Sequence, residues 1–274
     1  MRRMMNEVEF YLKDLESKFE KINPEEYYLS YSGGKDSHFL YWFIKEYLRE
    51  TKIKIISVNT YMEHQEISAR MLKYADEILL PRLKPFEIKE RYGIPCFSKI
   101  QDGLIDRYQR GVRTKGTMRY VLREEKSRFN LNKKASDLTL NNKLHKISDK
   151  CCYYLKKEPL NRYAKESGRK PIMGVRGAEG VLRKYNYEGC FSKNGKFTPI
   201  YDLTNSLLDR IYRIHHIETP NIYAHVERTG CIACPYGSTC GDVEKELKLI
   251  AKNRFDFITE YFKESYHVRG IKVD

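Results

Sequence analysis

A six-residue run at positions 32–37, Ser-Gly-Gly-Lys-Asp-Ser, has the composition of a loop that binds anions. Its two glycines can adopt positive φ and let an anion approach the backbone closely. The lysine adds a positive charge, the serines add hydroxyl donors, and the aspartate can bind Mg²⁺ or cap a helix. The run therefore predicts a site for phosphate groups. The rival interpretation is a glycine turn followed by helix-capping serines.

The residues on either side give this run a structural setting. Residues 27–31, Tyr-Tyr-Leu-Ser-Tyr, are typical of a short buried strand, and residues 38–48 have the pattern of a helix. Backbone N–H groups at a helix N-terminus lack intrahelical partners, and the helix dipole favours negative charge there. The spacing before the lysine is too short for the Gly-x-x-x-x-Gly-Lys-[Ser/Thr] phosphate loop. We therefore predict a different anion-binding loop between a strand and a helix.

Four of the seven cysteines form two close pairs, Cys151 with Cys152 and Cys231 with Cys234. In a chain with no recognisable secretion signal, such pairs predict metal or redox chemistry rather than a disulfide framework. Four thiolates can bind zinc or an iron–sulfur cluster. Zinc ligands are usually about two to four residues apart in both halves of a site, so the adjacent pair is unusual for zinc. Zinc and unmetallated thiols stay open as alternatives to the cluster.

The other cysteines carry weaker signals. Cys96 is predicted to lie in the core. Cys190 and Cys240 are either small buried apolar residues or a spare ligand and a sulfur-carrying thiol.

Strand patterns alternate with helix patterns along the chain. After the strand and helix around the loop, further strands are predicted near residues 52–60, 76–81 and 171–177. This alternation predicts an α/β fold with a doubly wound parallel sheet.

The same patterns divide the chain into segments. We expect an N-terminal helix in residues 1–25 and the α/β domain in residues 26–230, with a basic insertion at about 106–150. A helical, cysteine-bearing C-terminal lobe is predicted for residues 231–274, with residues 241–264 forming one helix.

The formal net charge of +14 indicates a phosphate-rich substrate or partner. Residues 107–146 alone contain twelve Lys or Arg and three acidic residues. This segment is predicted either to cover the active site as a basic lid or to be partly disordered. With Tyr108 and Tyr120 among its cations it suits a nucleic acid, and a solvated charged surface is the alternative.

Apolar runs long enough for a membrane span do not occur in the sequence. The longest fall short of about eighteen residues. The basic N-terminus lacks the apolar segment of a secretion signal and has the pattern of an amphipathic helix. We therefore expect a cytoplasmic protein that does not bind membranes.

The loop and its flanks, Leu-Ser-Tyr-Ser-Gly-Gly-Lys-Asp-Ser-His-Phe-Leu, resemble the PP-loop of the N-type ATP pyrophosphatases, specifically the phosphoadenosine phosphosulfate (PAPS) reductase family. The resemblance covers roughly residues 26–240. This family includes sulfonucleotide reductases, the nucleotidyl subunit of ATP sulfurylase and sulfur-inserting enzymes of DNA phosphorothioation. The resemblance implies that the loop binds the ATP pyrophosphate with Mg²⁺. Cleavage between the α and β phosphates then gives an adenylate and pyrophosphate.

Two further motifs carry the resemblance. Residues 174–183, Gly-Val-Arg-Gly-Ala-Glu-Gly-Val-Leu-Arg, resemble the family element Gly-x-Arg-x-x-Glu-x-x-x-Arg, and a solvated helix surface is the alternative. The cysteine pattern is similar to the 4Fe–4S pattern of assimilatory adenylylsulfate reductases. It implies a 4Fe–4S cluster with the ligands Cys151, Cys152, Cys231 and Cys234. The resemblance further implies the catalytic residues Lys35, Asp36, Arg176 and Arg183. The nucleotide-binding residues it implies are Ser30, Ser32, Gly33, Gly34, Lys35, Asp36, Ser37, Thr60, Gly174 and Glu179.

The chain departs from the family pattern in three places. Asn59-Thr60-Tyr61 replaces an Asp-Thr-Gly loop near the nucleoside, so that Thr60 keeps its place while the purine contacts differ. Leu203 replaces a tryptophan in the stretch Phe-Thr-Pro-Ile-Tyr-Asp-Leu-Thr. No cysteine follows Cys240, whereas the sulfonucleotide reductases carry a nucleophilic cysteine in a terminal Glu-Cys-Gly-Leu-His.

These features lead to one main hypothesis and two alternatives. The main hypothesis is an adenylating enzyme for sulfur transfer that uses ATP, a nucleic-acid acceptor and a sulfur donor protein. The first alternative is a sulfonucleotide reductase that acts on PAPS or adenylylsulfate. The second is a non-catalytic module that binds nucleotides or nucleic acid.

Overall fold

A computed structural model describes residues 2–177, 189–192, 195–227, 229–237 and 240–273. The chain divides into two compact units. Unit 1 comprises Met1–Val58, Glu66–Leu79 and Leu160–Asn221. Unit 2 comprises Asn59–Gln65, Leu80–Pro159 and Ile222–Asp274.

Unit 1 contains a four-stranded parallel sheet with the strand order β3-β2-β1-β4. Its strands are β1 (Tyr27–Ser30), β2 (Lys54–Val58), β3 (Glu77–Leu79) and β4 (Lys170–Ile172). Leu29 of β1 lies opposite Ile55 on one side and Ile172 on the other, and all three are buried. Burial on both faces is typical of parallel sheets covered by helices. The prediction of an α/β fold with a parallel sheet is confirmed, and the strand order is compatible with a doubly wound arrangement.

The helices of the described residues are α1 (Arg2–Phe19), α2 (Lys35–Trp42), α3 (Gln65–Tyr74), α4 (Pro85–Tyr92), α5 (Lys99–Gln109), α6 (Lys115–Leu122), α7 (Lys133–Leu140), α8 (Lys150–Cys152), α9 (Glu158–Ser167), α10 (Asn205–Ile214), α11 (Cys240–Lys248) and α12 (Lys252–Arg269). Two π-helical turns, Phe43–Tyr47 and Tyr153–Lys157, follow α2 and α8 directly. In the part of the chain that the structure describes, no helix combines the length and apolar character needed to cross a membrane.

The basic segment in unit 2 is helical rather than disordered. Thr114 and Asn132 are the N-cap residues of its helices α6 and α7. Their side chains accept hydrogen bonds from backbone amides of the first turns. These helices bury a small core with α5 and the residues before it, made of Cys96, Leu104, Ile105, Val121, Leu131, Ala135 and Ile147. Cys96 is fully buried there, as predicted.

The predicted single helix over residues 241–264 is wrong, because α11 and α12 are separate helices. Ala251 has an extended backbone between them. Side-chain nitrogens of His64 and Gln65 lie 3.3 and 3.5 Å from the carbonyl oxygen of Leu249. These contacts accommodate a carbonyl at the helix end that lacks an intrahelical partner.

Candidate functional site

The glycine-rich loop of unit 1 lies at the junction that the sequence predicts. Strand β1 ends at Ser30, and α2 begins at Lys35. Gly34 occupies the N-cap position and, having no side chain, provides no side-chain cap. The positive end of the helix dipole therefore lies at the loop without a competing capping oxygen from that residue.

Gly33 is held in a conformation that a larger residue would strain. Its φ is +72°, in the left-handed region. A Cβ atom at this position would lie 3.0 Å from both Cγ2 and the carbonyl oxygen of Ile67, and 3.2 Å from Met71. Buried Arg70 donates a hydrogen bond of 3.3 Å to the Gly33 carbonyl. Close packing against α3 therefore fixes the loop backbone.

The two serines of the loop bind each other. Their hydroxyl oxygens lie 3.0 Å apart, and the Ser32 amide donates to Ser37 Oγ at 3.2 Å. Ser37 is buried and donates its hydroxyl proton to the Gly34 carbonyl at 3.0 Å. Ser37 therefore closes the loop, a role that its residue type alone did not reveal.

The structure brings the predicted Gly-x-Arg element to the loop. Arg176 is buried, and its Nε donates to Asp36 Oδ1 at 2.7 Å. A Cβ atom on Gly174 would lie 3.0 Å from both the carbonyl carbon of Asp36 and the amide nitrogen of Ser37. Glycine at position 174 thus permits the backbone after β4 to approach the start of α2, which brings the guanidinium onto the loop aspartate.

Helix α10 contributes three contacts to this region that the sequence analysis did not anticipate. Asn205 accepts a hydrogen bond from Arg176, and the Tyr212 hydroxyl donates to the Lys35 carbonyl at 2.7 Å. Asp209 lies 3.6 Å from the Lys35 ammonium. These positions are four and three residues apart, which places them on one helical face. This helical spacing of polar side chains in the sequence could have identified the three residues as one face of a helix.

His38 lies buried one turn into α2. Burial, with smaller effects of Arg70 and Lys73, lowers its pKa to about 3. The Tyr31 hydroxyl lies 2.9 Å from His38 Nδ1. The imidazole is therefore neutral at neutral pH and is part of the packing beneath the loop.

The predicted cysteine ligands lie together in unit 2. Cys151 is buried at the start of α8, and Cys231 and Cys234 pack against the same apolar core. The 231–237 loop is fixed by backbone contacts. The Ile232 amide donates to Met62, and the Tyr266 hydroxyl donates to the Ala233 carbonyl at 2.6 Å. The Tyr261 hydroxyl donates to the Cys151 sulfur at 3.4 Å.

The thiols affect one another electrostatically. Burial raises the pKa of Cys151 to about 12, and the charge of Cys231 adds to the rise. Burial raises the pKa of Cys234 well above its ordinary value, with contributions from Cys231, Cys152 and Cys151. Among the described residues, however, no three His, Cys, Asp or Glu side chains form a ready metal-binding group. The four thiols share one region, and ligation would require side-chain movement within it.

Thiols are donors of a kind that both iron–sulfur clusters and zinc accept. Four thiols are the soft ligands that such clusters take. The charge of an ionised Cys231 raises the pKa of half-buried Lys156 against the opposing effect of burial, and Glu63 adds to the rise, while burial raises the pKa of the Cys231 thiol itself. Thr60 donates its hydroxyl proton to Glu63 and lies 4.0 Å from the Cys231 sulfur. The structure thus places Thr60 in unit 2 beside the thiols. Lys156 follows Cys152 by four residues, a helical spacing that could have identified it.

Glu179 and Arg183 lie outside the described residues, as does the side chain of Cys240. Cys190 is half-buried in unit 1, and burial raises the pKa of its thiol.

Comparison with known proteins does not assign the chain to a family. No family model matches it, and no curated protein does so either.

Proposed function

We propose that this protein binds ATP at residues 32–37 and transfers AMP to an oxygen atom of an acceptor for sulfur insertion. The observation that carries this proposal is the arrangement around Gly33. A left-handed glycine lies between a strand and a helix N-terminus, with Arg176 held against the aspartate of the same loop. The resemblance of this loop to the PP-loop of the PAPS reductase family supports ATP as the ligand.

The loop would stabilise the charge that develops on the leaving pyrophosphate. Lys35 and the backbone amides at the start of α2 supply positive potential where the β and γ phosphates would bind. Arg176, whose guanidinium binds Asp36 and Asn205, adds positive charge beside this phosphate site. Asp36 would bind the Mg²⁺ that accompanies ATP. The acceptor oxygen attacks the α phosphorus, the bond to the β-phosphate oxygen breaks, and pyrophosphate leaves.

The acceptor is then activated for substitution. A hydrosulfide nucleophile displaces AMP from the adenylated position, so that its sulfur replaces the original oxygen and that oxygen leaves with AMP. Cys151, Cys152, Cys231 and Cys234 would hold a 4Fe–4S cluster, which supplies a sulfide-containing, redox-active centre when bound. The basic residues 107–146 support a nucleic acid as the acceptor. The sulfur donor would be a second protein.

The first test is pyrophosphate release from Mg-ATP by anaerobically purified protein, with and without added tRNA or DNA. Lys35→Ala is expected to abolish release. Lys13→Ala removes an exposed lysine from α1 of the same unit and is expected to leave release unchanged. Stimulation by nucleic acid would identify the acceptor class.

Other outcomes would favour the alternatives. ATP binding without pyrophosphate release under any condition would favour a non-catalytic binding module. Reduction of PAPS or adenylylsulfate by the cluster-loaded protein would favour a sulfonucleotide reductase. Zinc in place of iron in anaerobically purified protein would contradict the cluster.

A further inference from the structure

Unit 2 contains a pocket of about 540 Å³ that no step of the proposed adenylation uses. It lies at helices α5 and α6 and the start of α8, and its volume falls within the range of ligand sites in proteins. Its lining combines exposed cations, two aromatic rings and the first turn of α6.

The charge of this lining is positive. Lys99, Arg107, Arg110 and Lys150 face two acids, Asp106 and Asp149. Arg110 is held by Asp106 through Nε at 3.1 Å and a terminal nitrogen at 2.8 Å. Among the described contacts, the side chains of Lys99, Arg107 and Lys150 form no ion pair. The lining therefore offers three uncompensated cations to one remaining carboxylate.

The aromatic part of the lining is Tyr120 with Phe129. Their ring centroids lie 6.0 Å apart in an edge-to-face contact, and Phe129 leaves 36% of its surface exposed. Tyr108, the other tyrosine of the basic segment, does not line the pocket. A guanidinium lies over each of these three rings: Arg113 is 3.6 Å from the Tyr108 ring, Arg128 is 4.9 Å from the Phe129 ring, and Arg119 is 5.9 Å from the Tyr120 ring. An exposed aromatic ring beside unpaired cations is the arrangement that binds a base and its phosphate.

The α6 end of the pocket also exposes backbone. Gly116 lies in the first turn of α6, and a Cβ atom built there would meet nothing within 4 Å. Thr114 and Thr117, with hydroxyl oxygens 3.0 Å apart, line the same end. The exposed Thr114 hydroxyl adds a hydrogen-bonding group beside the cations, and phosphate oxygens accept bonds of this kind.

We propose that this pocket binds single-stranded nucleic acid by taking one unpaired nucleotide, with its base on Phe129 and Tyr120 and its phosphate at Arg107 and Lys150. Duplex is disfavoured because its bases are stacked and cannot enter a concave site of this size. Apart from Arg107 itself and Arg110, which is paired with Asp106, the cations of residues 107–146 lie outside the lining and would bind flanking phosphates. This inference rests on the proposed function in one respect only, namely that the acceptor of AMP is a nucleic acid.

The test is fluorescence anisotropy with end-labelled DNA and RNA of about twelve nucleotides, single-stranded and as duplex, without ATP. We expect the single strand to bind more tightly than the duplex. Phe129→Ala should weaken binding of the single strand about tenfold, and Phe129→Trp should retain it, because stacking on an aromatic ring is sequence-tolerant. Phe10→Ala is the matched control, since Phe10 is an exposed aromatic residue on α1.

A second variant tests the proposed contact between Arg107 and a phosphate group. Arg107→Ala should lower the slope of log affinity against log salt by about 0.7, whereas Lys245→Ala, an exposed lysine on α11, should leave it unchanged. Circular dichroism of each variant checks the fold.

Four results would overturn the inference. These are failure to bind any single strand, equal or tighter binding of duplex, equal effects of the Phe129 and Phe10 substitutions, and full competition by polyglutamate, a polyanion that has no bases. The result of this binding test is independent of the result of the pyrophosphate-release test. Lys35→Ala should bind oligonucleotides as the unmodified protein does, whether or not pyrophosphate is released.

Discussion

Replacement of Gly33 by alanine tests the geometry on which the candidate phosphate site depends. Alanine would have to adopt a φ of +72° while its methyl group lies 3.0 Å from the side chain and carbonyl oxygen of Ile67. The left-handed conformation costs a non-glycine residue about 1–2 kcal/mol. Insertion of a methyl group into a packed site costs about 1–3 kcal/mol. We therefore expect Gly33→Ala to lower the free energy of unfolding by about 2–5 kcal/mol.

The chain provides a local probe for this measurement. Its single tryptophan, Trp42, is buried in α2 within unit 1. Urea unfolding followed by Trp42 fluorescence therefore reports on the unit that contains the loop. ATP affinity of the folded variant, measured by titration calorimetry, should fall with the stability, because both depend on the loop backbone.

Other glycines separate the two contributions. Gly168 has a φ of +71° and open space around its Cα, so Gly168→Ala should show only the conformational cost. Gly174 has crowding without a positive φ, so Gly174→Ala should show only the packing cost. The smaller entropy of the unfolded chain stabilises all three variants similarly and cancels in the comparison. If Gly33→Ala were no less stable than Gly168→Ala, the close approach of Ile67 to the loop would be refuted.

Further predictions concern the buried groups of both units. Because the pKa of His38 is about 3 in the folded chain and ordinary in the unfolded chain, the unfolded chain binds protons first below about pH 6.5. Through His38, stability should therefore fall by about 2 kcal/mol between neutral pH and about pH 5, and His38→Asn, unlike His216→Asn, should remove this part of the loss in urea titrations. His145, whose pKa burial lowers to about 4, contributes a separate loss that His38→Asn leaves in place. Arg176→Lys should lower the free energy of unfolding by about 1.5–3 kcal/mol, since lysine lacks the planar fork whose two separate nitrogens bind Asp36 and Asn205, and unchanged stability would exclude this bridge. Anaerobic protein should contain about four iron atoms per chain, which Cys231→Ala loses and Cys190→Ala keeps, as measured by iron analysis.

The positions of the sheet and the loop were predictable because their signals are local. Residues 27–31 form an apolar run, and the two glycines next to it mark a turn before a helix. The spacing of the Gly-x-Arg motif, taken from the resemblance, predicted that Arg176 belongs to the site. Its contact with Asp36 was not predicted. Gly174 was named with the motif, but its packing against α2 could not be inferred from one sequence.

Other features depend on contacts distant in sequence. The basic segment has too few apolar residues to predict a core of its own, and Leu104 and Ile105, outside its stretch of dense charge, complete that core. The break between α11 and α12 arises where His64 and Gln65 meet Leu249, which the continuous apolar pattern of residues 241–264 does not show. A helical period records which residues are buried and does not record partners from other parts of the chain.

The π-helical turn Tyr153–Lys157 makes the number of residues in this stretch a structural requirement. Such a turn accommodates one residue more than an α-helical turn of the same span. Removal of one residue from the turn would restore regular α-helix and keep α8 and α9 in phase, whereas the residues within the turn would shift around the helix axis. Lys156 would then move relative to the adjacent cysteines, and fully buried Leu155 would move relative to its core neighbours. Substitutions on the exposed face of this helix are therefore tolerable, whereas a single-residue deletion or insertion here would separate the thiols from their cationic neighbour.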